Sequence, residues 1–256
     1  MKQVVLRGWR PTLVIILLFI LWESASRLFE IPEWLIPSPT QVWEEGIAGW
    51  SVYNHHLYST ILLTVTGFLI GSSVGIIVAI LLHVIPIFRN MFYPLIIFSQ
   101  NIPIIVLAPL LVIWFGFGML PKLIIITLVC FFPIAVSTMD GLRQTSTELL
   151  HYTKMAGATK RQTFWKLEWP HALPSLFSGL KISATYSVMG AVISEWLGAK
   201  EGIGVYMTLA SSSFRTDRVF VAIFLIMLLS LLFFALITLI EKRVVAWKTK
   251  GVETNG

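Results

Sequence analysis

Residues 148–174 read ELLHYTKMAGATKRQTFWKLEWPHALP, and their side chains suit being gripped better than they suit bond chemistry. Leu149, Tyr152, Met155 and Ala156 recur every three to four residues, which places them on one helical face, while Thr153 and Lys154 lie elsewhere. Gly157 permits a backbone reversal that other residues resist. Beyond it, Phe164, Trp165, Leu167 and Trp169 lie among Lys160, Arg161 and Lys166, giving aromatic anchors inside a positive rim. The segment is expected to end at its prolines and feed directly into another apolar helix. Two occupants suit such a surface: a protein partner, or an anionic lipid layer under an interfacial helix. The pattern weighs equally for both.

A second set of polar residues interrupts apolar runs. Gln100 and Asn101 precede Pro103, which removes one backbone donor, so that nearby carbonyls either turn toward a cavity or close a kink. Lys181 follows Pro174 by ~10 Å of helix, shallow enough for its stem to snorkel to the surface. Glu195 lies ~21 Å further along, too far for a direct pair with Lys181. It belongs near the opposite mouth beside Trp196, with Tyr186 deeper in, facing a passing solute or interfacial water. Gln100, Asn101, Tyr186, Glu195 and Trp196 are thus the candidate pathway residues.

Reactive constellations are missing. No Gly-x-x-x-x-Gly-Lys-Ser/Thr loop is present to cradle nucleotide phosphates, and no Ser/His/Asp set, His-Glu-x-x-His pair or intramembrane carboxylate pair points to hydrolysis. No catalytic or metal-ligating residue is expected. The single Cys130 lies in an apolar run and reads as a packing residue. His55, His56, His151 and His171 read as solvated surface histidines.

The elements that must carry these residues follow from composition. A hydrophobic fraction of 56% with 12% charged residues makes lipid the solvent. Six apolar stretches approach the ~20 residues a crossing needs: 12–29, 59–83, 92–115, 120–139, 176–197 and 219–240. The third is the least regular, with Pro94, Pro103 and Pro109 inside it. Only Arg27, Lys122, Lys200, Arg215 and Arg218 fall on one side, against thirteen other Lys and Arg on the loops and ends of the other, so both termini are expected in the cytosol. The basic balance therefore reports topology and gives no ground for a nucleic-acid partner. The amino end has features of a secretory signal, but its apolar stretch runs on past Trp22 and cleavage is not expected. Prolines in IPEWLIPSPTQVWEE exclude one continuous helix and leave a short amphipathic turn as the expectation there. The Gly- and Ser-rich residues 198–218 are expected to be irregular and exposed. No internal repeat or appended soluble domain is evident, so residues 1–256 read as one transmembrane domain.

Gly157, Leu167, Trp169 and Pro170 match the spacing of the cytoplasmic EAA loop of ABC importer permeases: Glu-Ala-Ala, three residues, Gly, nine residues, Ile-x-Leu-Pro. Here His151, Tyr152 and Thr153 replace Glu-Ala-Ala, and Trp169 replaces the Leu before Pro170. WFGFGMLPK at 114–122 resembles the nitrate, sulfonate and taurine group of these permeases. Residues 177–207 resemble permeases for the pyrimidine half of thiamine. The resemblance spans nearly the whole chain and implies an all-α integral membrane protein of about six spans, with a type I importer fold and cytoplasmic coupling helices. It further implies that His151, Tyr152, Thr153, Met155, Ala156, Gly157, Phe164, Trp165, Leu167, Trp169 and Pro170 form the ATPase-coupling set. The implied partners are ABC ATPase subunits that bind ATP and Mg, an extracytoplasmic solute-binding protein and a second copy of the chain, in a bacterial inner membrane. This chain itself would bind no cofactor. The implied cargo is a thiamine precursor such as formylaminopyrimidine, with sulfonate or taurine, nitrate and riboflavin as alternatives. A secondary transporter without an ATPase would instead show inverted repeats or intramembrane relays.

Overall fold

The computed structural model describes residues 2–246, with side chains from Trp9 onward. Lys248 and Lys250 and the side chains of Lys2 and Arg7, used above for orientation, lie outside the described residues. Among those described, the regular structure is entirely helical: α1 (Lys2–Leu28), α2 (Pro39–Ala48), α3 (Trp50–Val84), α4 (Pro86–Ser99), α5 (Ile104–Phe115), α6 (Met119–Arg143), α7 (Thr147–Met155), α8 (Lys160–Thr163), a π-turn (Phe164–Glu168), α9 (Trp169–Glu195), α10 (Ile203–Ser212) and α11 (Thr216–Val244).

Five helical stretches are long and apolar enough to cross a membrane: Trp9–Leu28, Trp50–Val84, Met119–Arg143, Lys160–Glu195 and Thr216–Val244. The expected third span, 92–115, is not continuous. It is two helices, α4 and α5, meeting at 101°. Pro103 supplies no N–H and pushes Ile102 away from helical backbone, so the ladder ends at Ser99 and restarts at Ile104. Asn101 serves this break, its Nδ2 lying 3.0 Å from the carbonyl of Ile97 and 3.3 Å from that of Phe98.

α6 is the central helix, wedged between α3 and α9. Gly67, Gly71 and Gly75, one turn apart on α3, face Ile126, Cys130 and Ile134, one turn apart on α6. A methyl group at Gly67 would lie 2.5 Å from Ile126 Cγ2, and one at Gly71 would lie 2.7 Å from Cys130 Cβ. Small residues are thus what lets the two backbones meet, replacing a hydrophobic drive that lipid does not supply. On the other side of α6 the same device recurs: Gly141 abuts Ser175, and Gly179 abuts Ser137 and the Pro133 carbonyl. Ser183 Oγ donates to the Cys130 carbonyl at 2.9 Å, both residues being buried. Gly179, Ser183, Ala184, Ser187 and Gly190 of α9 therefore pack inside the chain, and its exposed face carries Ser178, Ile182, Thr185, Tyr186 and Met189.

The remaining elements ride on this core. α1 exposes most of its apolar surface and leans on α11 through Trp22 and Phe220, whose ring centroids are 5.1 Å apart. α2, started by Ser38 in a capping box with Gln41, is tied to the start of α11 by Glu45, which accepts from Arg215 at 3.0 Å and Arg218 at 2.8 Å. The proline-rich stretch thus contains a full helix where only a turn was expected. Residues 198–218 likewise hold α10, with Ile203, Gly204, Tyr206 and Ala210 buried. The C-terminal end of α3, α7, α8 and the start of the 160–195 helix gather at one end of the bundle, the basic end. Glu195, α10 and α2 lie at the other.

Candidate functional site

The basic-end segment is built from local caps. Ser146 starts α7 by accepting from Leu149 N, with Glu148 in the first turn and Lys154 in the last, matching the helix dipole. Gly157 turns the chain at φ +75°, and Thr159 with Gln162 forms a capping box that starts α8. No helix end follows at Pro170, contrary to the expectation of a proline-terminated segment. The π-turn, in which Trp169 N bonds back to Phe164 O, absorbs the donor that Pro170 lacks, and the helix runs on through Pro174. The result is a 36-residue rod from Lys160 to Glu195, about 54 Å long against a hydrocarbon core of ~30 Å.

This geometry divides the eleven proposed coupling residues. His151, Tyr152, Met155, Ala156, Gly157 and Trp165 are exposed, with Tyr152 at 69% and Met155 at 80%. Thr153, Leu167, Trp169 and Pro170 are half-buried. Phe164 is buried against Leu142 and Ala172, with Ile80 and Trp169 around it, so it is a seat for the segment and not a surface anchor. Beside it His83 Nε2 lies 3.2 Å from Glu168 Oε2, joining the end of α3 to the π-turn. A cleft of about 630 Å³ opens between these elements, with Lys154, Lys160 and Arg161 on its walls.

Of the candidate pathway residues, the structure brings Gln100 and Tyr186 together. Both line a cleft of about 550 Å³ at the α4–α5 elbow, walled by Phe131, Phe132, Met189 and Ile193 among others. Asn101, Glu195 and Trp196 lie outside that lining. Trp196 is exposed, but Glu195 is only 1% exposed and faces neither solute nor interfacial water. Its two carboxyl oxygens accept from Thr60 Oγ1 at 2.7 Å and Gly204 N at 2.8 Å. Thr60 Oγ1 in turn accepts from Ile203 N at 2.8 Å, and His56 Nδ1 accepts from Gly202 N at 3.0 Å. Three successive amides entering α10 are thus held by side chains of α3 and α9. His56 is consequently buried, not a solvated surface residue. Lys181 does not simply snorkel; its Nζ donates to Glu241 Oε2 at 2.9 Å. His56, Thr60, His83, Glu168 and Glu241 were invisible as partners in the sequence, because each bond joins residues sixty or more positions apart. One signal was available: His56 and Thr60 stand at i, i+4 spacing and so share one face of α3.

Comparison with known proteins accounts for this architecture. The chain is 37% identical to the formylaminopyrimidine transport permease protein ThiX of Halalkalibacterium halodurans over 94% of this chain and 96% of that one. It is 29% identical to the riboflavin transport system permease protein RibX of Chloroflexus aurantiacus, over 94% and 90%. It is 26% identical to the putative aliphatic sulfonates transport permease protein SsuC of Bacillus subtilis, over 94% and 88%. The protein is a multi-pass, all-helical permease subunit of an ABC importer and not an enzyme; ATP hydrolysis resides in a separate chain. Residues 71–246 match the description "binding-protein-dependent transport system inner membrane component", and the chain belongs to that family.

Proposed function

We propose that residues 148–174 are the cytosolic coupling segment, that two copies of the chain pair around the solute path, and that the cargo is a thiamine-precursor pyrimidine such as formylaminopyrimidine. In this reading residues 1–256 form one permease domain with both termini in the cytosol. Two ATPase subunits holding ATP and Mg grip the exposed face of α7 and Trp165, and a solute-binding protein delivers cargo from outside. The observation that carries the coupling role is the contrast within the segment: Tyr152, Met155 and Trp165 are exposed while Phe164 is buried at its base. Exposed aromatic and Met side chains ringed by Lys154, Lys160 and Arg161 have the composition of a protein-docking face. A grip there moves a rod that crosses the bundle. Transport then requires two packings of similar free energy that the partner contacts differently.

The cargo assignment is supported by the named activity of the 37% identical relative. The wall of the elbow cleft agrees with it: Phe131, Phe132, Tyr186 and Gln100 offer aromatic faces and an amide, with no Lys or Arg to select an anion. Uptake of radiolabelled formylaminopyrimidine by cells producing the whole transporter is the test, with taurine and riboflavin as competitors. Uptake blocked by unlabelled formylaminopyrimidine alone supports the reading; uptake of taurine or riboflavin instead transfers the assignment to that solute. For the docking role, Trp165→Glu must abolish co-purification of the ATPase while the permease still inserts.

A further inference from the structure

We propose that Glu195 is a positioning residue for transport, a latch that fastens the outer end of the 160–195 rod to α10. The inference rests on the coupling reading above, since it concerns where motion of the rod is delivered.

The geometry is specific. Glu195 ends α9, and its carboxyl group gives one oxygen to Thr60 Oγ1 of α3 and the other to Gly204 N in the first turn of α10. Glutamine at this place would keep the length and can hold both partners, its Oε1 accepting from Gly204 N and its Nε2 donating to Thr60 Oγ1, whose own hydrogen then goes to the His56 carbonyl 3.1 Å away; leucine would remove both acceptors. Aspartate would fall a methylene short. The backbone is shaped around the carboxyl group as well: Gly202 has φ +129°, and a Cβ there would sit 2.1 Å from Glu195 Cδ. Gly204 is equally tight, its hypothetical Cβ lying 2.6 Å from the Val192 carbonyl. α10 has no side-chain cap of its own at Gly202. Its start is therefore defined from outside, by His56, Thr60 and Glu195 together.

A bundle stabilised only by packing would not need this arrangement. Beyond the bonds to His56, Thr60 and Glu195, α10 packs through apolar, non-directional contacts, as with Ile203 and Tyr206 in their cluster with Val42, Tyr53 and Val221. Such contacts let a helix slide. The bonds of Glu195 do not: one oxygen holds Gly204 N of α10 directly and the other holds Thr60, which in turn holds Ile203 N, so α10 must follow the rod or break this chain. The outer face of α10, with Leu209 exposed, then changes position when the cytosolic segment is pulled.

The test uses the permease–ATPase complex in nanodiscs with a spin label on Leu209→Cys, native Cys130 being buried. ADP with vanadate traps the ATPases closed, so no cargo is required. In the labelled parent and in Thr60→Ser, trapping is expected to change the spectrum. In Thr60→Val and Glu195→Leu that change should shrink about fivefold or more, as for the loss of one or two hydrogen bonds, while ATP hydrolysis stays within about twofold of the parent. An undiminished response in Thr60→Val and Glu195→Leu overturns the proposal. So does equal damage in Thr60→Ser and Thr60→Val, a parallel fall in hydrolysis, or an unresponsive parent label. Failure of the underlying coupling reading is seen separately, as ATPase retained by Trp165→Glu.

Discussion

Phe164 and Trp165 are chain neighbours whose rings meet edge to face at 5.2 Å, yet Phe164 is 9% exposed and Trp165 is 53% exposed. The two should therefore fail in different ways. Phe164→Ala empties a site among Leu142, Ala172 and Trp169 and is expected to cost about 3 kcal/mol or more, seen as a lower melting temperature of the purified permease. Trp165→Ala should leave that temperature nearly unchanged, within ~0.5 kcal/mol, and weaken ATPase recovery instead. If Phe164→Ala melts like the parent, the seat described for this segment is wrong.

Close approach of α3 and α6 depends on residues without side chains. Gly67→Ala places a methyl 2.5 Å from Ile126 Cγ2, and relief requires backbone movement because Ile126 is fully buried. A loss of about 1–3 kcal/mol is expected, the usual cost of overpacking. Shortening Ile126 to Val keeps the nearest branch, whereas Ile126→Ala removes it but leaves Cβ 2.7 Å from the added methyl, so alanine eases the clash without clearing it. Thermal unfolding of Gly67→Ala, Ile126→Ala and the pair should show non-additivity, the double variant being less damaged than the sum. Strict additivity would mean that the two helices adjust independently.

Gly157 isolates a backbone effect, because φ is +75° and a Cβ added there would have nothing within 4 Å of it. Its substitutions should rank by left-handed tolerance alone. Asn is expected to retain ATPase recovery, Ala to weaken it by about 1–2 kcal/mol and Val by more. Recovery of the ATPase on immobilised permease gives the order. Equal behaviour of Asn and Val would show that the turn conformation is not what presents α7 and α8.

Local signals made part of this architecture legible and tertiary ones hid the rest. Apolar runs marked the crossings, and Gly157 marked the turn, because both depend on residues adjacent in sequence. Pro103 warned of irregularity in the third stretch, but the angle between α4 and α5 depends on how each packs against its neighbours. Pro170 misled: a proline ordinarily stops a helix, and only the π-turn at Phe164–Glu168, which has no sequence signature here, lets the rod continue. Glu195 beside Trp196 looked like a boundary pair, and the carboxyl group was instead buried by Thr60, 135 positions earlier. Gly179 and Ser183 of α9 meet α6 of the same chain, a pairing that tertiary packing alone determines.

Lys181 and Glu241 provide the last case, since each side chain is 22% exposed and they bridge α9 and α11 across 2.9 Å. Their environment lies between water and the interior, so the pair should be worth more than an exposed bridge and less than a fully buried one. Glu241→Leu leaves a half-buried ammonium group without its acceptor and is expected to cost about 1–3 kcal/mol, between the two limits. Lys181→Met strands the carboxylate to a similar degree. Replacing both removes two desolvated charges at once and fills the space with apolar atoms, so the double variant should recover much of the loss. Melting temperatures of the four proteins in one detergent complete the cycle. Single variants as stable as the parent would assign the holding of α11 to packing of Phe68 against Phe233 and of Ile237 in the core, with the ion pair incidental.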